Sequence, residues 1–230
     1  MTIHTNFNAE KPTKKAAIED AGRISEGNSK MPGSTFATDA FACKVGSKLA
    51  KIEGSVCSRC YARKLQKLRP SVDKGWSANY EKATSMIATN PENWVRACRF
   101  QIERIAAKTG VLNHRWFDSG DLDSVEMLAA ICKVAETTPT IAHWLPTREA
   151  AVVKAFKKAG GKVPANLVIR VSSTMINDAP ISGHENTSTV HRKGHEPEGH
   201  ICPAPQQGGN CGDCRACWNP SVKNVSYCLH

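Results

Sequence analysis

Residues 111–172 decide the fold: VLNHRWFD (111–118), LDSVEMLAAICKVAET (122–137), TIAHWLP (140–146), REAAVVKAFKKA (148–159) and NLVIRVS (166–172). The first, third and fifth segments are short, apolar and rich in β-branched or aromatic residues, which predicts strands. In 122–137, Leu122, Val125, Leu128, Ala129, Cys132 and Ala135 fall on one helical face, and Pro139 closes the segment. Residues 148–159 predict a second helix, ended by Gly160-Gly161. A strand–helix–strand–helix–strand run requires a parallel sheet with right-handed crossovers.

Upstream, Asn90 caps a further helix and Pro91 suits its first turn. Its stripe is Trp94, Val95, Cys98, Ile102, Ile105 and Ala106, and Gly110 ends it. Residues 60–70 predict a short basic helix stopped by Pro70, and residues 77–89 another helix. Residues 21–56 read as a long irregular segment, and loops of that length inside a domain are usually functional. Residues 1–20 read as a polar, flexible lead-in. From residue 174 the chain lacks apolar periodicity, so the tail is expected to fold around metal and not hydrocarbon. The expectation is one α/β domain over 21–230, built on a parallel sheet or partial (β/α) barrel, with a cysteine-rich, metal-binding tail at 184–230.

A chain of 230 residues with 40% hydrophobic and 23% charged residues has the composition of an ordinary globular domain. No stretch approaches the roughly 18 apolar residues of a membrane span. The polar, acid-containing start lacks the apolar core of a secretory signal. A cytosolic location is therefore expected, and no membrane partner. The net charge of +10 favours anionic partners, with nucleic acid or a nucleotide foremost. The oligomeric state is left open.

Thiols stay reduced in the cytosol, so the ten cysteines are read as metal ligands or catalytic groups. Cys98 and Cys132 are exceptions: each falls on the apolar face of a predicted helix, where a free cysteine acts as a small hydrophobe. The first cluster is Cys43 with Cys57-Ser-Arg-Cys60. Its CxxC at a helix start, near Lys and Arg, is expected to have thiol pKa values lowered towards thiolate. Three thiolates leave one iron of a four-iron, four-sulfur cluster open to a ligand. A zinc site with a fourth ligand from elsewhere, or a redox pair, are the alternatives.

The second cluster comprises Cys202, Cys211, Cys214, Cys217, Cys228 and His230, all within the last 29 residues. It is a strong metal signal, for either an iron–sulfur cluster or a closed zinc site such as Cys211, Cys214, Cys217 and His230. The upstream histidines His184, His191, His195 and His200 read as loop residues.

Ligands of parallel sheets sit beyond the carboxyl ends of the strands. Three such ends are polar here: Asp118-Ser119-Gly120-Asp121, Pro146-Thr147-Arg148-Glu149, and Ser172-Ser173-Thr174. Asp118 and Asp121 are the candidate catalytic groups. Ser119, Gly120, Asp121, Thr147, Arg148 and Ser172 are the candidate cofactor-binding residues. Gly120 is expected to let the backbone approach a ligand. Thr147 and Asp121 could also serve only as helix caps.

The segments GNSKMPGSTF, CKVGSKLAKIEGSVCSRCYARK, RWFDSGDL, HWLPTRE and CGDCRACW resemble the phage "gene product 88" family, over residues 25–230. That resemblance implies the host cytoplasm. More widely, the triad ending in CxxCYA, with strands ending in Ser-Gly-Asp-Leu, Thr-Arg and Val-Ser, is similar to small radical S-adenosylmethionine-type proteins. This likeness implies a partial parallel barrel. It also implies that Cys43, Cys57 and Cys60 hold the cluster and that S-adenosylmethionine caps the open iron near Gly120 and Asp121. The implied activity is modification of nucleic acid or a nucleotide precursor. Asp118-Ser119-Gly120 with a C-terminal cysteine–histidine group is also similar to tRNA-guanine transglycosylases. That likeness implies Zn2+ and exchange of guanine for a 7-deazaguanine base. A zinc-organised nucleic-acid binder without catalysis is the third reading.

Overall fold

The computed structural model describes residues 11–229. In chain order the elements are α1 (Lys14–Ala21), β1 (Ile24–Ser25), β2 (Ser34–Phe36), α2 (Lys44–Leu49), α3 (Tyr61–Leu68), α4 (Pro70–Thr89), α5 (Pro91–Thr109), β3 (Asn113–Trp116), α6 (Val125–Thr137), β4 (Ala142–Thr147), α7 (Ala150–Lys158), β5 (Leu167–Ser172), β6 (Thr187–His191), β7 (His200–Ile201) and β8 (Asn224–Cys228). One sheet of eight strands runs β1-β2-β3-β4-β5-β6-β8-β7. All its pairings are parallel except that of the β1 edge strand.

Strands β2 to β5 are laid down in sequence order. Right-handed crossovers between them send the connecting helices to one face of the sheet. There Phe36, Trp116, Leu145, Leu167 and Val171 pack against Trp94, Ile102, Leu128, Ile131 and Val153. Trp94 and Trp116 stack with ring centroids 5.9 Å apart, and Phe36 meets both edge-on. Cys98 and Cys132 are buried in this layer as apolar side chains. Asn90 caps α5 by accepting from Asn93 N, and Gly110 ends it in the left-handed conformation.

Several boundaries differ from the sequence reading, each for a local reason. Residues 14–21 are not part of a flexible lead-in; Thr13 caps them into α1, which buries Ala17 and Ala21. Residues 1–10 of that lead-in lie outside the described residues. Pro70 stops α3 but occupies the first turn of α4, so the next helix begins there and not at 77. Helix α6 starts at Val125 because the Ser124 hydroxyl accepts from Met127 N.

The tail is the main correction. It is not a loop but supplies β6, β7 and β8, which extend the sheet. Their apolar content is low because the sheet is polar there on both faces: Ser172 and Ser188 share a bond on the second face, and Thr187, Thr189 and Ser226 are bonded to Asn224 and His191 on the face of Val171. Alternation along β3, β4 and β5 puts Arg115, Trp144 and Arg170 on the second face. The segment 203–222 crosses it. Trp218 meets Trp144 at 5.2 Å and donates to His114 O at 2.9 Å. Arg170, fully buried, donates to six carbonyls: Cys217, Ala216, Asn219, Val222, Thr187 and Lys223.

Arg170→Met would leave those carbonyls in a dry interface without donors. The expected loss of unfolding free energy is about 3 kcal/mol or more, read from urea denaturation. Limited proteolysis should then cut within 203–222 first. A loss below about 1 kcal/mol would mean that Arg170 does not hold the tail down.

Candidate functional site

The cysteine triad enters the site from the β2 side. Cys43 precedes α2, Cys57 lies in a single 3-10 turn, and Cys60 precedes α3. Ser55 closes that turn by accepting from Ser58 N while donating to Leu49 O. Gly46 separates the thiols. A Cβ placed there would lie 3.0 Å from Cys43 Cβ, 3.7 Å from Cys57 Sγ and 3.8 Å from Cys43 Sγ. All three cysteines line one cavity of about 150 Å³.

The other walls of that cavity are strand ends. It is lined by Asp118, Ser119, Gly120 and Asp121 after β3, by Thr147 and Arg148 at the end of β4, and by Ser172 at the end of β5. The structure thus brings the front triad together with every strand-end residue that the sequence singled out. The reason is local. Phe117 adopts a left-handed backbone (φ 53°) that turns the chain across the strand ends, an unfavourable conformation for a bulky residue. Gly120 follows at φ 83°, where a Cβ would come within 1.9 Å of Thr38 Oγ1. The glycine is therefore required by the β2–α2 loop, which also donates from Thr38 N to Ser119 O.

Asp121 is a strut between loops. Its Oδ1 accepts from Leu122 N at 2.8 Å and from Thr147 Oγ1 at 2.5 Å, and its Oδ2 accepts from Arg148 N at 2.9 Å. Thr147 Oγ1 in turn accepts from Glu149 N, and Glu149 accepts from Val45 N at 2.7 Å. This chain of bonds fixes the β4–α7 turn against α2. Glu149, named in the sequence only as part of a polar strand end, Tyr61, named only as the residue after the CxxC, and Arg115 were not among the candidate site residues. Tyr61 follows Cys60 directly and donates to Asp118 O at 2.6 Å, roofing the cavity. The Arg115 guanidinium lies 4.7 Å from the centre of the Trp144 ring. Only the odd spacing from buried Trp116 could have flagged it.

Four of the nine buried polar side-chain atoms without a partner among the described residues belong to residues that line this cavity: Arg115 Nε, Asp118 Oδ1, Ser119 Oγ and Arg148 Nε. Such atoms are costly unless a ligand meets them. Ser172 differs, because its hydroxyl is shared with Ser188 at 2.8 Å. Burial pushes the Asp118 carboxyl up, opposed by Arg115, and pushes Asp121 up to about 6. The thiols depart from expectation: burial, with the charges of neighbouring Asp121 and the other cysteines, pushes Cys43 well up. Burial also raises Cys57, against the pull of Arg148.

In the tail, Cys202, Cys211, Cys214 and Cys217 act on one another electrostatically. His200 Nε2 lies 3.5 Å from Cys214 Sγ, so this histidine, read as a loop residue, sits beside the group. Cys217 Sγ is 3.2 Å from Tyr227 Oη. Cys228 stands apart in register with His191, its Sγ 3.7 Å from Leu229 O. His230 lies outside the described residues. Among the described residues, no three His, Cys, Asp or Glu side chains gather closely enough to hold a single metal ion, in the tail or at the front.

A sequence model of Gene product 88 matches residues 6–220. The chain belongs to the Gene product 88 family. No curated protein and no solved structure matches it. The family model spans the front triad, the polar strand ends and the CGDCRACW segment alike, so the Gene product 88 chain carries its cavity and its cross-sheet tail as one unit. No helix among the described residues is long and apolar enough to cross a membrane.

The raised Asp121 pKa has a definite sign. The native carboxyl keeps its proton to higher pH than the unfolded one, so ionisation opposes folding. The contribution is full below about pH 4 and is lost as pH rises through about 6, by up to about 3 kcal/mol in metal-free protein. Chemical denaturation across this range should show that fall in the wild type and a flat profile in Asp121→Asn. Equal slopes in both proteins would assign the titration elsewhere.

Proposed function

We propose that this protein is an iron–sulfur, radical S-adenosylmethionine-like enzyme acting on nucleic acid or a nucleotide precursor. The observation that carries the reading is the convergence of Cys43, Cys57 and Cys60 on a cavity at the strand ends, four of whose lining residues, Arg115, Asp118, Ser119 and Arg148, each bury a polar atom without a partner among the described residues. Zinc bonds of about 2.3 Å would draw thiolates to about 4 Å of one another, and among the described residues no three such side chains gather closely enough to hold a single ion. A four-iron cluster takes one thiolate per iron and spreads its ligands wider, which suits three thiols around one cavity. With three protein thiolates, one iron keeps an open position. When bound, the cluster with S-adenosylmethionine supplies one-electron chemistry.

The chain's own residues have distinct tasks in this reading. Cys43, Cys57 and Cys60 hold the cluster. Ser119 Oγ and Arg148 Nε, both without protein partners, bind the polar ends of the cofactor. Asp121 and Thr147 hold those two loops in register. Asp118, with a free Oδ1 and a raised pKa, can accept or return a proton at the substrate. The tail cysteines Cys202, Cys211, Cys214 and Cys217, with His200 beside Cys214, are the donor set for a second centre.

Protein isolated without oxygen should be brown and contain iron and acid-labile sulfide, about four of each per cluster. It should bind S-adenosylmethionine in equilibrium dialysis. Cys43→Ala should remove the front cluster and that binding together, while iron in the tail remains. Colourless protein holding zinc alone would end this reading and favour base exchange.

A further inference from the structure

Helix α3 is inside-out. A helix on a domain surface normally turns its apolar stripe inward. Here Tyr61, Leu65 and Leu68, at i, i+4 and i+7, are 62%, 38% and 64% exposed. The buried side carries Ala62 and Gln66 instead. Gln66 accepts from Ala40 N and donates to Asp39 and Asp73, at 2.7–2.9 Å, so the helix is held by polar bonds and leaves its apolar face free. Phe41, 44% exposed, lies on the other side of the helix, with the Arg63 guanidinium 4.4 Å from its ring centre.

Charge surrounds the apolar face. Between Glu53 and Asp73 there is no acidic residue, while Arg59, Arg63, Lys64, Lys67 and Arg69 are all basic. Arg59, Lys64, Lys67 and Arg69 are exposed. The position is equally telling. Helix α3 starts at the residue after Cys60, and Tyr61 both roofs the cavity and begins the exposed stripe. At about 150 Å³ the cavity is smaller than the several hundred Å³ that encloses a drug-sized ligand. A nucleic-acid strand has to extend beyond the cavity, and α3, whose Tyr61, Ala62 and Arg63 line it, forms one of its sides.

We infer that the exposed face of α3, from Tyr61 through Leu65 to Leu68, is a docking platform for single-stranded nucleic acid. Bases stack on Tyr61 and lie over Leu65 and Leu68, while Lys64, Lys67 and Arg69 meet the phosphates. The strand then runs towards the cavity, where one nucleotide reaches Asp118 and Arg115. The inference names the substrate of the proposed enzyme and rests on that reading for what happens to the nucleotide. A lipid surface would also meet apolar and basic residues on one helix. It is disfavoured because it would set acyl chains against a cavity lined by the charged and polar residues Arg63, Arg115, Asp118 and Arg148.

The test is binding of a labelled single strand of about 16 nucleotides, as DNA and as RNA, followed by fluorescence anisotropy. Affinity should fall with salt, by about 0.7 log units per phosphate contact for each log unit of salt. The triple variant Lys64→Ala/Lys67→Ala/Arg69→Ala should bind at least tenfold more weakly and show a salt slope shallower by about 2. The double variant Leu65→Ala/Leu68→Ala should weaken binding about tenfold with the slope unchanged. Neutralising Lys154, Lys157 and Lys158 on α7 should leave binding as it was. Equal weakening by the α7 variant would assign binding to net charge and overturn the inference. So would salt-independent binding, or binding of anionic phospholipid vesicles in place of the strand. Thermal melts verify that each variant is folded. Iron content, measured on the same samples, separates the two proposals: strand binding by iron-free protein sinks the enzyme and not the platform, and a cluster-bearing protein that ignores the strand does the reverse.

Discussion

A guanidinium shielded completely from water must spend its donors on protein, and Arg170 spends them on six backbone carbonyls, five of them in the segment from 216 to 223. That demand follows from the order of the strands. Because β2 to β5 are laid down in sequence, their helices take one face and leave the other bare. A bare sheet face needs a cover. This chain covers it with its own C-terminal segment, pinned by Arg170 and by Trp218 against Trp144. The cover has few apolar side chains, so its attachment is built from hydrogen bonds and two indoles.

The cavity inherits its shape from the same arrangement. Parallel strands end together, and the loops that leave them meet at one rim. Asp121 and Glu149 lace that rim, one joining the β3 and β4 loops, the other tying the β4 loop to α2. A buried carboxylate is a costly connector unless it is fully hydrogen-bonded. Asp121 accepts three bonds and still has a raised pKa, because desolvation outweighs them.

The alternating unit over 111–172 was legible in the sequence because strand and helix periods are strong there, and so were the two buried cysteines and the three polar strand ends. Helix α1 was not, because its eight residues bury only two alanines. Strands β6 and β8 were missed for a different reason. Apart from Val225 their buried residues are Thr, Ser, Asn and His, bonded to partners far away in sequence, and no hydropathy period marks them. The expected lowering of thiol pKa also failed. Charge and helix ends favour thiolate, but Cys43 and Cys57 sit too deep for those effects to prevail over desolvation. Gly120 was legible as special and misread as to cause, since the side chain it makes room for is Thr38.

Arg115 joins the two cysteine-rich regions into one construction. Its charge eases the ionisation of Asp118 and Tyr61 at the cavity, and of Cys211, Cys217 and Tyr227 in the tail. It lies against Trp144, the same ring that receives Trp218, and Nη1 reaches Met31 Sδ at 3.5 Å. Cys211 N in turn donates to Lys30 O at 2.8 Å. The loop before β2, the middle of β3 and the tail therefore meet around a single guanidinium. Whatever orders Cys211 and Cys217 also sets the field and the position of Arg115, and hence the acidity of Asp118. The tail therefore meets the cavity through Arg115, which lines the cavity on one side and packs on the other against Trp144, the ring that also carries Trp218.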